Sequence, residues 1–203
     1  KPAYSIFLIN KWLPSIKGAV TTLTRGGSFA DIGCGFGHST TMIAEQFSQS
    51  SIRGIDPHEQ SIHEARKIAE QKNLNNLTYE IACAENYSGE YDIISFFDCL
   101  HDMGDPVAAV SYAKRKLKTG GALMVIEPYA NDEVSKNFNI IGQMYYSFST
   151  IACVPASKSQ EGGMALGAQA GLKNLTYVLN NGGFSKVEMT YKTASNMVIE
   201  ARV

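Results

Sequence analysis

Asp31-Ile-Gly-Cys-Gly-Phe-Gly37 joins a short apolar run, Phe29 to Ile32, to a helix start through three glycines spaced G-x-G-x-G. Glycine at Gly33, Gly35 and Gly37 lets the backbone take positive φ and leaves no Cβ to hold a ligand away. Such a turn, at the carboxyl end of a first parallel strand, is where an α/β sheet admits a nucleotide-like ligand. A dinucleotide fingerprint requires G-x-G-x-x-G, and counting from Gly33 its third glycine falls on His38. Asp31, just before the turn, repels a pyrophosphate but suits the amino group of an amino-acid-like ligand. Nineteen residues past Gly37, a second apolar run ends in Asp56. An acid there is placed to accept both ribose hydroxyls, its other available role being to balance a helix dipole. These residues together favour S-adenosylmethionine over NAD or ATP.

A second segment, Phe97-Asp-Cys-Leu-His-Asp-Met-Gly-Asp-Pro106, follows the fourth strand. That strand is expected to neighbour the first, so the segment lines the same crevice. The ordinary pKa of histidine, about 6.5, suits His101 to removing a proton from an acceptor hydroxyl. A packing or capping role is equally open to it. Asp98 and Asp102 read either as substrate or supporting contacts or as loop acids, and Asp105 as a helix N-cap. His58 reads as a loop histidine beside the adenine side, and His38 and His63 carry no sharper signal. Cys34, Cys83 and Cys99 follow strands ending at the same edge, but without close pairs they read as small buried residues rather than metalloid ligands.

The elements that must position these residues alternate between strand-like and helix-like along nearly the whole chain, the pattern of a parallel sheet covered on both faces. Residues 4–24 carry Ile6, Ile9, Leu13, Ile16 and Val20 at helical spacing, with a kink expected at Pro14. Strands are expected at Phe29 to Ile32, Ile52 to Asp56, Leu77 to Ala82, Asp92 to Phe97 and Ala122 to Glu127. Ser39 is expected to cap the helix after the glycine turn, Glu59 to Asn73 to form the next helix, and Gly120-Gly121 to end the one opened by Asp105-Pro106. A last helix ends at Gly182-Gly183. Phe184 to Thr190 and Met197 to Val203 then read as an antiparallel hairpin.

With 203 residues and 44% apolar residues the chain can form a single buried domain. Its 18 basic and 19 acidic residues nearly cancel, which argues against a large nucleic-acid footprint. Four scattered cysteines without a C-x-x-C point to a reducing, cytoplasmic setting with free thiols and no zinc site. No apolar stretch reaches membrane-spanning length.

The chain resembles the class I S-adenosylmethionine-dependent methyltransferases. ADIGCGFG is similar to that family's first motif, GIDPHEQSIHEAR to its second, EYDIISFFDCLHDMGDP to its fourth and LKTGGALMVIEP to its strand-five region. The resemblance implies a doubly wound, mostly parallel seven-stranded sheet with a C-terminal antiparallel pair. It implies that Asp31, Gly33, Cys34, Gly35 and Gly37 hold the methionine part of S-adenosyl-L-methionine, and of the product S-adenosyl-L-homocysteine, with Asp56 and Pro57 at the ribose. Cys83, Ala84 and Glu85 would meet the adenine, and Phe97 completes the set. Cys83 stands where many relatives have aspartate, so adenine contact passes to backbone groups or to Glu85. Leu100-His101-Asp102 resembles the L-H-D-W-x-D segment of small-molecule O-methyltransferases, whose histidine is the base, with Met103 in place of the tryptophan.

Residues 130–171 form an insertion rich in aromatics, including Tyr145, Tyr146 and Phe148. It reads as the wall or lid of a small-molecule acceptor pocket, or as a packing face for a second subunit or an N-terminal domain absent from this chain. The expected reaction is methyl transfer to oxygen. N- or C-methylation without a dedicated base, and a non-catalytic S-adenosylmethionine-binding regulatory role, are the alternatives.

Overall fold

A computed structural model describes residues 2–203. Seven strands form one sheet: β1 (Ser28–Ile32), β2 (Ser51–Asp56), β3 (Leu77–Ile81), β4 (Tyr91–Phe97), β5 (Leu117–Pro128), β6 (Lys186–Lys192) and β7 (Asn196–Arg202). Their order is β3-β2-β1-β4-β5-β7-β6. The pairs among β1 to β5 are parallel, and β7 runs antiparallel to both β5 and β6. The order therefore reverses between β1 and β4, the topological switch point where a doubly wound sheet opens a crevice.

The central strands are buried on both faces, so alternate residues feed two cores. Phe29, Ile93, Phe97, Met124 and Ile126 pack against α1 (Pro2–Phe7), α2 (Leu13–Ser15), α3 (Ala19–Thr24), α4 (His38–Gln46) and α5 (Glu59–Gln71). Ala30, Ile94, Phe96, Leu123 and Val125 form the opposite core with residues of α6 (Pro106–Lys116) and α9 (Gly171–Asn181). Between these two helices, α7 (Ile140–Phe148), a π turn at Ser149–Cys153 and α8 (Val154–Lys158) run on without a break. Pro155 has no N–H to give to the preceding turn, which accounts for the widening. Among the described residues no helix is long and apolar enough to cross a membrane.

Three expectations need correction. The leading helix bends through a π turn at Leu8–Trp12, and it breaks after Ser15, where Ile16 is extended and Gly18 takes φ 78°, rather than at Pro14. The wider turn brings every fourth residue onto one face. Tyr4, Leu8, Trp12 and Ile16 are thus buried while Ile6 and Val20 are exposed. Trp12 is fully buried against Tyr4, so truncating it to alanine costs about 3–5 kcal/mol. Second, α6 ends at Lys116, and Gly120-Gly121 lie inside β5, where its pairing with β4 shifts register. Third, α4 starts at His38 with Gly37 before it, and Ser39 does not cap it.

Candidate functional site

The glycine turn leaves β1 and is tied to β2. The N–H groups of Gly33 and Cys34 both donate to the Ile55 carbonyl, at 2.8 and 3.1 Å, and the Gly35 N–H donates to Asp56 Oδ2 at 2.9 Å. The other Asp56 oxygen accepts from the His58 N–H at 2.8 Å. Gly33, Gly35 and Gly37 all take positive φ, but for different surroundings. A Cβ on Gly37 would lie 2.2 Å from the Tyr79 hydroxyl, and one on Gly33 2.8 Å from Cys99 Sγ. A Cβ on Gly35 would meet nothing within 4 Å. The turn is thus packed closed at both ends and open at its middle, as approach of a ligand to the backbone requires.

Asp31 sits beneath this turn with no exposed surface. Its Oδ2 accepts from the Ser39 and Thr40 hydroxyls, both at 2.7 Å, and its Oδ1 from Ser95 at 3.2 Å. This explains why Ser39 is not a cap: its hydroxyl is committed to Asp31, and the first turn of α4 has no side-chain cap. Burial pushes the Asp31 carboxyl up to about 6, against the hydroxyls that pull it down.

Two cavities meet at the switch point. One, of about 630 Å³, is lined by Gly33, Cys34, Gly35, Phe36, Ser39 and Phe97 among others. The second, of about 380 Å³, is lined by His101, Pro128, Tyr145, Phe148, Cys153 and Asn196 among others. Tyr4 and Asp98 line both. The Tyr4 hydroxyl donates to Asp98 Oδ2 at 2.7 Å and the Asn196 amide to Oδ1 at 3.2 Å. Asp98 is held at φ 50°, an uncommon conformation for a residue with a Cβ, at the tip of β4.

His101 is buried on the wall of the second cavity. Its Nδ1 makes a short hydrogen bond with Glu127 Oε2, and Glu127 Oε1 accepts from the Leu100 N–H at 3.0 Å. Its Nε2 lies 3.3 Å from Asp102 Oδ1. Burial alone would lower the imidazole pKa, but Glu127, Asp102 and Asp98 outweigh it and hold it at about 9. A base at this position strips a proton most effectively at alkaline pH.

The glycine turn, Phe97 and Asp98 therefore converge on one cavity, while Asp31 and Gly37 lie behind it. Asp56, Pro57, Cys83, Ala84 and Glu85 stand at the adjoining ends of β2 and β3, outside that lining. The Ala82 N–H to Asp56 carbonyl bond, 3.3 Å, links the two strand ends. Pro57, Cys83 and Glu85 are exposed and Ala84 is buried. Asp105 caps α6 as expected, whereas His58 is a cap too, accepting from the Ser61 N–H. The four cysteines are free. Sequence reasoning missed Glu127, although an acid ending the apolar run Met124-Val-Ile126 was a usable signal. Tyr4 and Asn196, and the approach of Cys153 to His101, gave no local signal.

The first cavity and its rim fit S-adenosylmethionine: an uncrowded glycine backbone at Gly35 and an uncapped helix start in the lining, with the acid at the end of β2 just outside it. Residues 23–183 match the family described as methyltransferase domain. The chain is 29% identical over 126 residues to a ubiquinone biosynthesis O-methyltransferase of Acinetobacter baylyi, covering 59% of this chain and 51% of that protein. It is 30% identical over 105 residues to a trans-aconitate 2-methyltransferase of Deinococcus radiodurans, covering 52% and 39%. The chain thus spans about half the length of these curated relatives or less. An O-methyltransferase family protein from Burkholderia thailandensis superposes with a TM-score of 0.70 at 16% identity, over 89% of this chain and 52% of that one. Human N-acetylserotonin methyltransferase, solved in complex with S-adenosylmethionine, also gives 0.70 at 16% identity, over 98% and 53%. With the family match spanning most of its length, the chain belongs to the class I S-adenosylmethionine-dependent methyltransferases.

Proposed function

We propose that the chain transfers a methyl group from S-adenosylmethionine to a hydroxyl oxygen of a small-molecule acceptor, with His101 as the base. The observation that carries this reading is the buried Glu127–His101 pair on the wall of the second cavity. When bound, S-adenosylmethionine supplies an electrophilic methyl on a sulfonium, so the chain's work is alignment and proton removal. The Gly33–Gly37 backbone holds the methionine part, supported from below by Asp31 through Ser39 and Thr40. Asp56 and Pro57 take the ribose, Cys83, Ala84 and Glu85 the adenine, and Phe97 floors the site. Asp98, between the cavities, sets a negative charge beside the cationic donor.

On the acceptor side Glu127 takes the Nδ1–H of His101 and so leaves the Nε2 lone pair for the acceptor proton. Tyr145 and Phe148 wall the acceptor and keep water away. The exposed apolar strip of Phe138, Ile140 and Ile151 is the face for a further domain or a second subunit. The test is His101→Ala with a hydroxyl-bearing acceptor. Turnover is expected to fall by about 10²–10⁴ while S-adenosylmethionine affinity stays the same. Collapse of that affinity, or survival of turnover, overturns the base assignment. A trans-aconitate-type acceptor already ionised at oxygen needs no base, and a pH-independent rate would point there.

A further inference from the structure

Cys153, brought beside His101 by the π turn, belongs to no part of the mechanism above. We propose that His101 Nε2, Asp102 Oδ1 and Cys153 Sγ form a three-donor site for a thiophilic divalent cation of the zinc type, whose binding takes Nε2 away from proton transfer. This rests on the reading of His101 as base and adds regulation to that site. One ligand atom from each of the three residues lies within 4.8 Å of the other two, and Nε2 and Oδ1 are 3.3 Å apart. Ordinary zinc bond lengths to nitrogen, oxygen and sulfur put tetrahedral donors about 3.3–3.6 Å from each other, so closure draws the donors together by up to about 1.5 Å.

Two further features point the same way. Glu127 occupies Nδ1, the carboxylate–histidine arrangement that orients metal-binding imidazoles. Asp102 Oδ1 is buried, makes no hydrogen bond and faces Nε2 at 3.3 Å. A cation bound between the two takes the place of the Nε2 proton, which leaves to buffer. Imidazole, carboxylate and thiol donors select zinc or cobalt over magnesium or calcium. The cavity supplies the fourth position, and the thiol proton leaves to buffer as the sulfur–metal bond forms.

The test titrates the chain with cobalt(II) and with zinc. One equimolar cobalt is expected to give thiolate-to-metal charge-transfer absorption, and zinc to displace it and inhibit methyl transfer. Cys153→Ser and Asp102→Asn should each weaken zinc binding tenfold or more with S-adenosylmethionine affinity intact, whereas Cys83→Ser should leave metal binding unchanged. No thiolate band, or wild-type zinc affinity in Cys153→Ser, overturns the site. Binding without inhibition overturns its regulatory role. Because the absorption is read without turnover, these failures are separate from loss of the base, which the metal-free His101→Ala enzyme reports.

Discussion

The first cavity is centred on Gly33 to Phe36, in the turn between β1 and α4, whose backbone N–H groups bond to Ile55 and Asp56, although it shares Tyr4 and Asp98 with the second. The second draws Tyr4, His101, Cys153 and Asn196 from almost the whole length of the chain, with Glu127 behind His101, and its connections run through side chains. A site made of backbone at a strand end changes little when side chains change, which suits a fixed methyl donor. One made of side chains on separate elements is re-shaped by single substitutions, which suits a variable acceptor.

His101→Ala is the sharpest probe of that division: about 10²–10⁴ in turnover without loss of donor affinity, read by steady-state kinetics and titration calorimetry. Next come paired changes within the turn. Gly37→Ala sets a Cβ 2.2 Å from the Tyr79 hydroxyl at φ 70°, and overpacking plus left-handed strain costs roughly 2–5 kcal/mol in denaturant unfolding. Gly35→Ala meets nothing within 4 Å and carries the strain alone, about 1–2 kcal/mol. It nonetheless fills the space proposed for the donor, so its donor affinity should fall tenfold or more. Equal stabilities of the two variants would remove the distinction between packed and open glycines.

Asp31 gives a signature on the donor side alone. Its folded pKa, about 6, lies above the ordinary carboxylate value, so the folded state holds the proton more tightly. Its contribution to stability is present at pH 4, is lost as pH rises through 6, and amounts to up to about 3 kcal/mol. Asp31→Asn should flatten that part of the stability–pH curve, and an unchanged slope would contradict it. On the acceptor side, kcat/KM of the metal-free enzyme should rise with pH toward about 9 as His101 deprotonates. Glu127→Gln removes the charge that raises His101, so the rise should move to lower pH, together with a slower reaction. The smallest effect is expected of Phe148→Ala: tenfold or less in acceptor KM, with donor affinity untouched.

The turn, the spaced acid and the positions of the strands were legible because each is a local signal. Glycines mark positive φ, an uninterrupted apolar run marks a strand buried on both faces, and Asp105-Pro106 marks a helix start. Where the reading slipped, a non-local contact had overridden a local preference. Ser39 is a good cap by type, but the buried Asp31 oxygen claims its hydroxyl. Ile6 and Val20 fit a regular helix, but the π turn re-phased the face.

The sequence by itself determined the strands, the glycine turn and the position of Asp56, because backbone conformation and alternating burial are set within a few residues. Only the tertiary structure decided that Asp31 lies sealed under the turn and that Glu127 orients His101 from 26 residues away. The same holds for Asp98, shared between Tyr4 and Asn196 across separations of 94 and 98 residues. Such pairings depend on which strand ends and helix faces meet once the sheet has closed. Side-chain chemistry alone does not encode that meeting.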